Sequence, residues 1–330
     1  MWVPAKVTLF GEHAVVYNYP AIASSLPIGL EVSAELRSGG VDEIVVSSVR
    51  ARVERVLMKG SSVVDAAAQR GELGKTLSYV SRALDLCRRD SGRLDASFRI
   101  HIDSPLPIGV GLGTSASVAV GVYTACMAEL GEYRDLEKRA ARAGWEVERL
   151  VQGAASPMDT HTVAYGGLLF IDPRSPRIVE RIECGIEIPL VVGYVPKRYT
   201  TAELVARVRE LRKRLRVIDR VLECIGSLVE EARKAIEVGD LEALGELMNV
   251  NHGLLRALGV VSREIDQIVH TAIALGALGA KMSGAGGGGA FIVLARGIED
   301  AKSVAKALNA LGASIVCIGL GREGVRILSR

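Results

Sequence analysis

The chain contains the stretch Pro107-Ile108-Gly109-Val110-Gly111-Leu112-Gly113-Thr114-Ser115-Ala116-Ser117, in which glycines alternate with apolar residues ahead of small polar ones. Residues 94–102 before it alternate apolar and polar side chains, which predicts a strand. Residues 118–130 after it are apolar, rich in alanine and free of proline, which predicts a buried helix. Glycines let a backbone approach a polyanion, and the free N–H groups at a helix start attract negative charge. The order strand, glycine loop, helix therefore predicts a phosphate-binding loop with a nucleotide as its ligand.

The loop differs from two common phosphate-binding motifs. No lysine precedes Thr114 or Ser115, as it would in GxxxxGK[ST], and Gly109, Gly111 and Gly113 lack the spacing of GxGxxG. A glycine-rich turn ahead of a helix also occurs as ordinary loop chemistry. The loop by itself leaves both interpretations open.

Two further segments favour the nucleotide. Residues 4–17 are Pro-Ala-Lys-Val-Thr-Leu-Phe-Gly-Glu-His-Ala-Val-Val-Tyr, and residues 281–290 are Lys-Met-Ser-Gly-Ala-Gly-Gly-Gly-Gly-Ala. Together with the loop they resemble the three motifs of the GHMP kinases, which are the galactose, homoserine, mevalonate and phosphomevalonate kinases. Within this family the segment Gly-Glu-His-Ala-Val-Val-Tyr is most similar to the mevalonate kinases. Ala5, Asn18 and Thr114 depart from the usual family residues, but none of them removes a side chain that the chemistry needs.

The length of 330 residues exceeds the size at which one hydrophobic core keeps growing, which predicts two domains. We place them at 1–185 and 186–330, because a mixture of predicted strands and helices gives way to an almost wholly helical stretch over 201–273, broken near Arg216, Gly239 and Gly259. The resemblance implies an α+β fold. Its N-terminal domain would carry the phosphate loop, its C-terminal domain would be a ferredoxin-like antiparallel sheet backed by helices, and the active site would lie between them.

Residues 21–36 and 44–49 are β-branched and alternating, and Gly39-Gly40 between them predicts a hairpin turn. Further strands are predicted at 167–171, 179–182, 188–192, 314–318 and 324–327, and a strand-turn-strand at 280–294. Helical spacing predicts helices over 76–89, 135–151, 263–275 and 299–311.

The resemblance implies phosphoryl transfer from ATP, with Asp159 and Lys6 as the catalytic pair. Asp159, in Ser-Pro-Met-Asp-Thr at 156–160, would accept the proton of the acceptor hydroxyl, or Lys6 would lower the pKa of that hydroxyl. Both descriptions need the two side chains close together, and the sequence does not separate them. An aspartate in a proline-containing loop also occurs simply as a turn or cap residue.

The resemblance also assigns the metal and the acceptor. Ser115 and Glu148 would bind Mg²⁺, which prefers few carboxylates together with phosphate oxygens and water. Glu146 lies close enough in sequence to be an alternative, and Glu148 could instead belong to an exposed helical face. Glu12 and His13 would bind mevalonate.

ATP would contact both glycine-rich motifs, at Pro107, Gly109, Gly111, Leu112, Gly113, Thr114, Ser115, Ala116, Gly284, Ala285 and Gly286. An ordinary glycine-rich hairpin is the alternative for the last three. We expect the adenine pocket in the region between Arg52 and Lys75, which we predict to be a helix-rich loop. His161 is taken as structural, and Lys281 receives no role.

The expected activity is the ATP- and Mg²⁺-dependent phosphorylation of the C5 hydroxyl of mevalonate. One alternative is a sibling kinase for phosphomevalonate or another hydroxy acid, although the first motif offers no cation besides Lys6 for a second phosphate. Another is a nucleotide- or metabolite-binding regulator that has lost turnover. The joint presence of Lys6, Ser115, Glu148 and Asp159 argues against the regulator.

Composition excludes other classes of protein. The net charge is +3 and aromatic residues make up 4%, so a nucleic-acid-binding surface with stacking platforms is not expected. The basic residues of 207–220 alternate with apolar ones and predict a solvated helix face. No signal peptide and no apolar span of membrane length is evident, which predicts a soluble cytoplasmic protein without a membrane partner. The helices of 201–273 leave a homodimer open.

The five cysteines are Cys87, Cys126, Cys184, Cys224 and Cys317. They show no CxxC spacing and lie mostly in apolar surroundings, so buried reduced thiols are expected.

Overall fold

The structure is a computed structural model, and it describes residues 1–48, 51–59, 62–63, 72–107, 109–153, 155–175 and 179–328. The first half contains strands β1 to β8 and helices α1 to α4, in the order β1 Trp2–Phe10, β2 Ala21–Arg37, β3 Asp42–Ser48, β4 Ala51–Lys59, β5 Ser62–Val63, α1 Glu72–Ser91, β6 Ser97–Ser104, α2 Thr114–Glu129, α3 Leu136–Gln152, α4 Met158–Tyr165, β7 Leu168–Ile171 and β8 Val179–Arg181. The second half contains β9 Leu190–Val195, α5 Thr201–Arg214, α6 Val217–Val238, α7 Leu241–Ala257, α8 Arg263–Ala274, β10 Gly279–Met282, β11 Gly289–Leu294, α9 Ile298–Ala310 and β12 Ser314–Ile318. A short 3₁₀ helix at Ala14–Tyr17 follows β1.

The first half is a mixed sheet covered by helices. Within the described residues its strand order is β5-β4-β3-β6-β2-β7-β8, with β1 paired to β2. Helix α2 is buried almost throughout and packs against β2, α1 and α3. This burial explains why its sequence is apolar on every face, as a helix in the middle of a core requires.

The predicted hairpin between β2 and β3 is wrong. Strand β6 lies between them, antiparallel to β2 and parallel to β3. A parallel pair needs a crossover connection instead of a tight turn, and α1 lies on the chain between β3 and β6. The apolar residues of β6, Phe98, Ile100 and Ile102, are fully buried, so this strand fits the interior of the sheet.

The expectation of a helix-rich loop after Arg52 is also wrong where the structure describes that region. Residues up to 59 form β4, which pairs antiparallel with β3. Val56 and Met58 are buried while Leu57 between them is exposed, which is the two-residue period of a strand. Residues 60–61 and 64–71 lie outside the described residues.

The second half is a helix-backed antiparallel sheet. Its strand order is β10-β11-β9-β12, and the predicted helical stretch is confirmed as α5 to α8 with the expected breaks. Residues 324–327 do not form the predicted strand. The backbone of Val325 binds the Ala164 carbonyl at the end of α4, and Arg326 makes an isolated bridge to Trp2, because the chain end turns back onto the first half.

The two halves share an apolar core. Ala5, Val7 and Leu9 of β1 belong to the same buried cluster as Val192 of β9 and Ile292 of β11. The boundary near residue 185 stays a prediction, and it falls between the last strand of the first sheet and the first strand of the second. In the parts of the chain that the structure describes, each helix is too short or too polar to cross a bilayer.

The expectation of reduced buried thiols is wrong for two cysteines. Cys87 of α1 and Cys126 of α2 form a disulfide. Both side chains are fully buried, and the sulfurs meet because the two helices pack against each other. Cys184 and Cys317 are free and half-buried, and Cys224 is free and exposed. Sequence spacing could not reveal the pair, because 39 residues separate its members.

We expect the disulfide to stabilise the first half. In the chain-entropy model, a cross-link across a sequence separation of 39 residues contributes about 4 kcal/mol. The Cys87→Ala/Cys126→Ala variant should lose free energy of unfolding in denaturant titrations, whereas Cys224→Ala should match the parent. Thiol titration of the unreduced, denatured parent should count the three free cysteines. A count of all five thiols would contradict the disulfide.

Candidate active site

The glycine-rich loop joins β6 to α2 and leaves the start of α2 open. Helix α2 begins at Thr114, and no side chain caps its N-terminus. The first N–H groups of a helix have no partner within the helix and suit an anion. The backbone N–H of Gly109 donates to the Thr114 hydroxyl at 3.3 Å, which holds the two ends of the loop together.

Strand β1 runs beside this loop and places Lys6 against it. The backbone N–H of Lys6 donates to the Leu112 carbonyl at 2.9 Å. Gly113 has a φ of +72°, and a Cβ added there would lie 2.5 Å from Cγ of Lys6. Glycine is therefore needed at residue 113 for two reasons. Its backbone is left-handed, and a side chain there would occupy the space of the lysine stem.

Lys6 and Asp159 form an ion pair, with Nζ and Oδ1 2.8 Å apart. The lysine is 2% exposed and the aspartate 30%. The ammonium also donates to the Thr8 hydroxyl at 3.1 Å. Asp159 lies in the first turn of α4 and not in a loop, because Pro157 precedes that helix as its N-cap residue. From the sequence, Asp159 was expected in a proline-containing loop, and the structure places it in the first turn of the helix that follows.

Glu148 of α3 faces the same region. Its side chain is buried, and no described residue gives its carboxylate a hydrogen bond or an ion pair. Burial raises the pKa of Glu148 well above its usual range, Asp159 raises it further, and Lys6 opposes both effects. Glu146 lies on the other side of α3, where it binds the exposed Arg89 at 2.8 Å. The buried carboxylate of Glu148 has no partner in the part of the chain that the structure describes and suits a bound cation. Glu146 is exposed and is already paired with the Arg89 guanidinium.

The residues that follow β1 connect the two halves. His13 has a φ of +60°, and its Nε2 lies 3.0 Å from the Ala285 carbonyl of the third motif. Burial lowers the pKa of His13 to about 4, so the neutral ring donates from Nε2 to that carbonyl. Glu12 is fully buried and pairs with Lys281 of β10.

Two neighbouring cavities open at the loop. The larger, of about 680 Å³, is lined by Thr76, Tyr79, Val118, Val151 and residues 197–202, among others. The smaller, of about 280 Å³, contains Lys6, Glu12, His13, Glu148 and Asp159. Gly109, Ser115 and Gln152 line both, so the cavities meet at the phosphate loop.

Most of the predicted site residues meet in these cavities. Gly111, Gly113, Thr114, Gly284 and Ala285 line the smaller one. Gly286 lines neither described cavity, and an added Cβ there would lie 2.2 Å from the Val260 carbonyl oxygen. Three predicted ATP contacts have buried side chains and line neither described cavity: Pro107, Leu112 and Ala116.

Several lining residues were not singled out from the sequence. The phenol of Tyr79 accepts from Gln152 Nε2 at 2.6 Å and interacts with the Ser115 hydroxyl. Burial raises the pKa of Tyr79 to about 12, with Glu148 adding to the shift. Arg209 lines the smaller cavity, and Lys197 lines both cavities. Arg209 belongs to the basic run that was predicted to be solvated, and helical spacing alone gave no sign that one of its members faces a cavity.

The sequence models of two domains match the chain. The model described as "GHMP kinases N terminal domain" matches residues 78–167, and "GHMP kinases C terminal" matches residues 232–314. The chain belongs to the GHMP kinase family. Membership implies ATP as the phosphoryl donor together with a divalent metal ion.

Curated relatives and solved structures agree. A mevalonate kinase of Thermococcus gammatolerans is 37% identical, over 98% of this chain and 96% of its own. That of Saccharolobus solfataricus is 36% identical with the same coverage. The solved mevalonate kinase of Methanococcus jannaschii matches with a TM-score of 0.77 and 28% identity, over 97% of each chain. The L. major mevalonate kinase in complex with R-mevalonate has the same TM-score and identity, over 98% of this chain and 96% of that one.

A methyl group at residue 113 should damage the kinase site beyond its effect on stability. We expect Gly113→Ala to displace the Lys6 stem and to lower kcat by up to about 100-fold, as a misplacement of about 1 Å can do. The matched control is Gly92→Ala, at a φ of +70° with no atom within 4 Å of the new Cβ. It should lose about 1–2 kcal/mol of unfolding free energy and keep its kcat. Equal loss of kcat in both variants would contradict the role of this contact.

Proposed function

We propose that this GHMP kinase is a mevalonate kinase, which transfers the γ-phosphoryl group of ATP to the C5 hydroxyl of mevalonate and releases 5-phosphomevalonate and ADP. The observation that carries the proposal is the Lys6–Asp159 pair at 2.8 Å, in the cavity that adjoins the phosphate loop. The identity to mevalonate kinases over nearly the whole chain supports the choice of acceptor.

The larger cavity would hold ATP. Its phosphates would approach the N–H groups of Gly109 to Ser115, which lie between the two cavities. The base would lie toward Tyr79, Val118 and Val151, whose side chains supply an apolar wall. We therefore assign the adenine pocket to the start of α1 and the adjoining faces of α2 and α3. The region between Arg52 and Lys75, which we expected from the sequence, is no longer our choice.

The acceptor would occupy the smaller cavity, with its hydroxyl beside Asp159. As the hydroxyl oxygen bonds to the γ-phosphorus, its proton passes to the Asp159 carboxylate and the bond to ADP breaks. Lys6 stabilises the negative charge that develops on the attacking oxygen. Glu12 and His13 would hold the remainder of the acceptor.

Mg²⁺ would be held by the Ser115 hydroxyl and the Glu148 carboxylate together with phosphate oxygens. The unpartnered carboxylate of Glu148 fits a cation. The described residues contain no cluster of three or more His, Cys, Asp or Glu side chains, and two protein ligands suit Mg²⁺, which keeps water and phosphate in its shell. When bound, the ion supplies positive charge to the transferring phosphates.

Lys197 and Arg209 favour an anionic acceptor. Both line the smaller cavity from the second half of the chain, and a carboxylate is the anionic group of mevalonate. The two cations would also suit a phosphorylated acceptor, so phosphomevalonate is the second candidate. Neither cation belongs to the first motif, in which Lys6 is the only lysine or arginine.

The substrate test is ADP release with MgATP and a panel of mevalonate, phosphomevalonate, homoserine and galactose. We expect turnover on mevalonate, and a loss of about 10²–10⁴-fold in kcat for Asp159→Asn with ATP binding retained. The control is Asp172→Asn, an aspartate that binds Arg174 and lines neither described cavity. Turnover on phosphomevalonate alone would favour the second candidate, and ATP binding without turnover would favour a regulator.

The metal assignment is tested by two glutamates on one helix. We expect Glu148→Gln to raise the Mg²⁺ concentration for half-maximal activity by about 10-fold or more, the size of effect seen when metal sites lose supporting groups. Glu146→Gln removes only a surface ion pair and should leave the Mg²⁺ titration unchanged. Without metal, Glu148→Gln should unfold at or above the parent's temperature, because it removes a buried carboxylate that lacks a partner. A Mg²⁺ titration altered only by Glu146→Gln would reverse the assignment.

A further inference from the structure

Lys281 is a lysine with no exposed surface. It lies on β10 in the third motif, and its ammonium crosses from the second half of the chain to the carboxylate of Glu12 in the first. It also donates to the Met282 carbonyl at 2.8 Å and lies 5.8 Å from the centroid of the Phe10 ring. A buried ammonium is costly unless it is paired, so its position needs a reason.

The reason lies in Glu12. One carboxylate oxygen, Oε1, receives Lys281, while the other, Oε2, is buried without a hydrogen-bond partner among the described residues. Glu12 also lines the acceptor cavity. A buried carboxylate oxygen without a donor costs free energy, and a hydroxyl group of the acceptor is a donor that could satisfy it.

The charges of Lys281, Glu12 and Lys6 influence one another. Lys6 acts electrostatically on both Glu12 and Lys281. Burial raises the pKa of Glu12 and lowers that of Lys281, and their contact opposes both shifts. Without Lys281, the buried Glu12 carboxyl would lose its paired cation, and burial would favour its neutral form.

The backbone beside Lys281 is fixed independently of its charge. The Ser283 hydroxyl accepts from the Thr8 N–H and donates to the Thr8 carbonyl, both at 2.9 Å. The third motif is thus attached to β1 by hydrogen bonds that do not involve Lys281. Removal of the ammonium should therefore leave the two halves in contact.

We propose that Lys281 is a positioning residue for the acceptor: it holds Glu12 through Oε1, so that Oε2, which has no donor among the described residues, can accept from an acceptor hydroxyl. The proposal rests on the proposed function, in which the acceptor occupies the cavity lined by Glu12. It gives the third motif a task in acceptor binding in addition to its glycines.

The test compares Lys281→Met, Glu12→Gln and the double variant with the parent, measuring KM for mevalonate, KM for ATP and kcat. We expect Lys281→Met to raise the KM for mevalonate by about 10- to 100-fold, as for a weakened hydrogen bond to a charged group, with the KM for ATP unchanged. The double variant should have the same kcat/KM for mevalonate as Glu12→Gln alone, because Lys281 acts through Glu12.

The matched control is Arg88→Met, which removes a cation that is only 12% exposed and pairs with the buried Asp42 at 2.6 Å, outside both described cavities. It should lower thermal stability without changing either KM. If Lys281→Met does not fold, the double variant, which leaves no unpaired buried charge at this pair, still provides the comparison with Glu12→Gln.

An unchanged KM for mevalonate in Lys281→Met, or losses that add fully in the double variant, would overturn the proposal. A parent that turned over a different acceptor would refute the proposed substrate separately, and the KM for that acceptor would then decide the role of Lys281.

Discussion

The ammonium of Lys6 is almost completely removed from water, and the surrounding structure is arranged to satisfy it. Asp159 supplies the opposite charge and Thr8 an oxygen, while Gly113 leaves room for the aliphatic stem. A buried ammonium without such partners would cost several kcal/mol. Because Asp159 lies on α4 and Gly113 in the phosphate loop, the charge is paired and the stem is accommodated only when both elements pack against β1.

Strand β1 is also where the second half of the chain is attached. Ser283 binds the Thr8 backbone, Ala285 accepts from His13, and Lys281 pairs with Glu12. The last two contacts come from residues that directly follow β1, and apolar side chains of β1 itself enter the core shared by both halves. The same strand and the residues after it therefore provide the proposed catalytic lysine and the surface on which the third motif docks, so that misplacement of either half would disturb the other.

The three motifs were recognisable from the sequence by their glycines and small polar residues, and the first and third also contain charged residues. The family resemblance that they carry then pointed to Lys6, Glu148 and Asp159, which lie together in one cavity. The pairing of β3 with β6 and the Cys87–Cys126 bond depend on contacts between distant segments, for which local spacing carries no signal. The position of Arg209 at a cavity was not predicted from the sequence, for a related reason. Arg209 is exposed like the other basic residues of α5, and helical spacing does not show that it also lines the smaller cavity.

Some charged groups of the site are paired within the protein, and others are not. Lys6 and Asp159, like Lys281 and Glu12, are paired within the protein and can keep their geometry before any ligand arrives. Glu148 has no such partner among the described residues, and the second oxygen of Glu12 has none either. The second oxygen of Glu12 is buried without a donor from the described part of the chain, which costs stability, and a donor hydroxyl would recover that loss. Glu148 instead lines the cavity, where a cation can reach it. The paired charges thus keep their geometry in the free protein, and under the proposed function the unpaired oxygens are where metal and acceptor would bind.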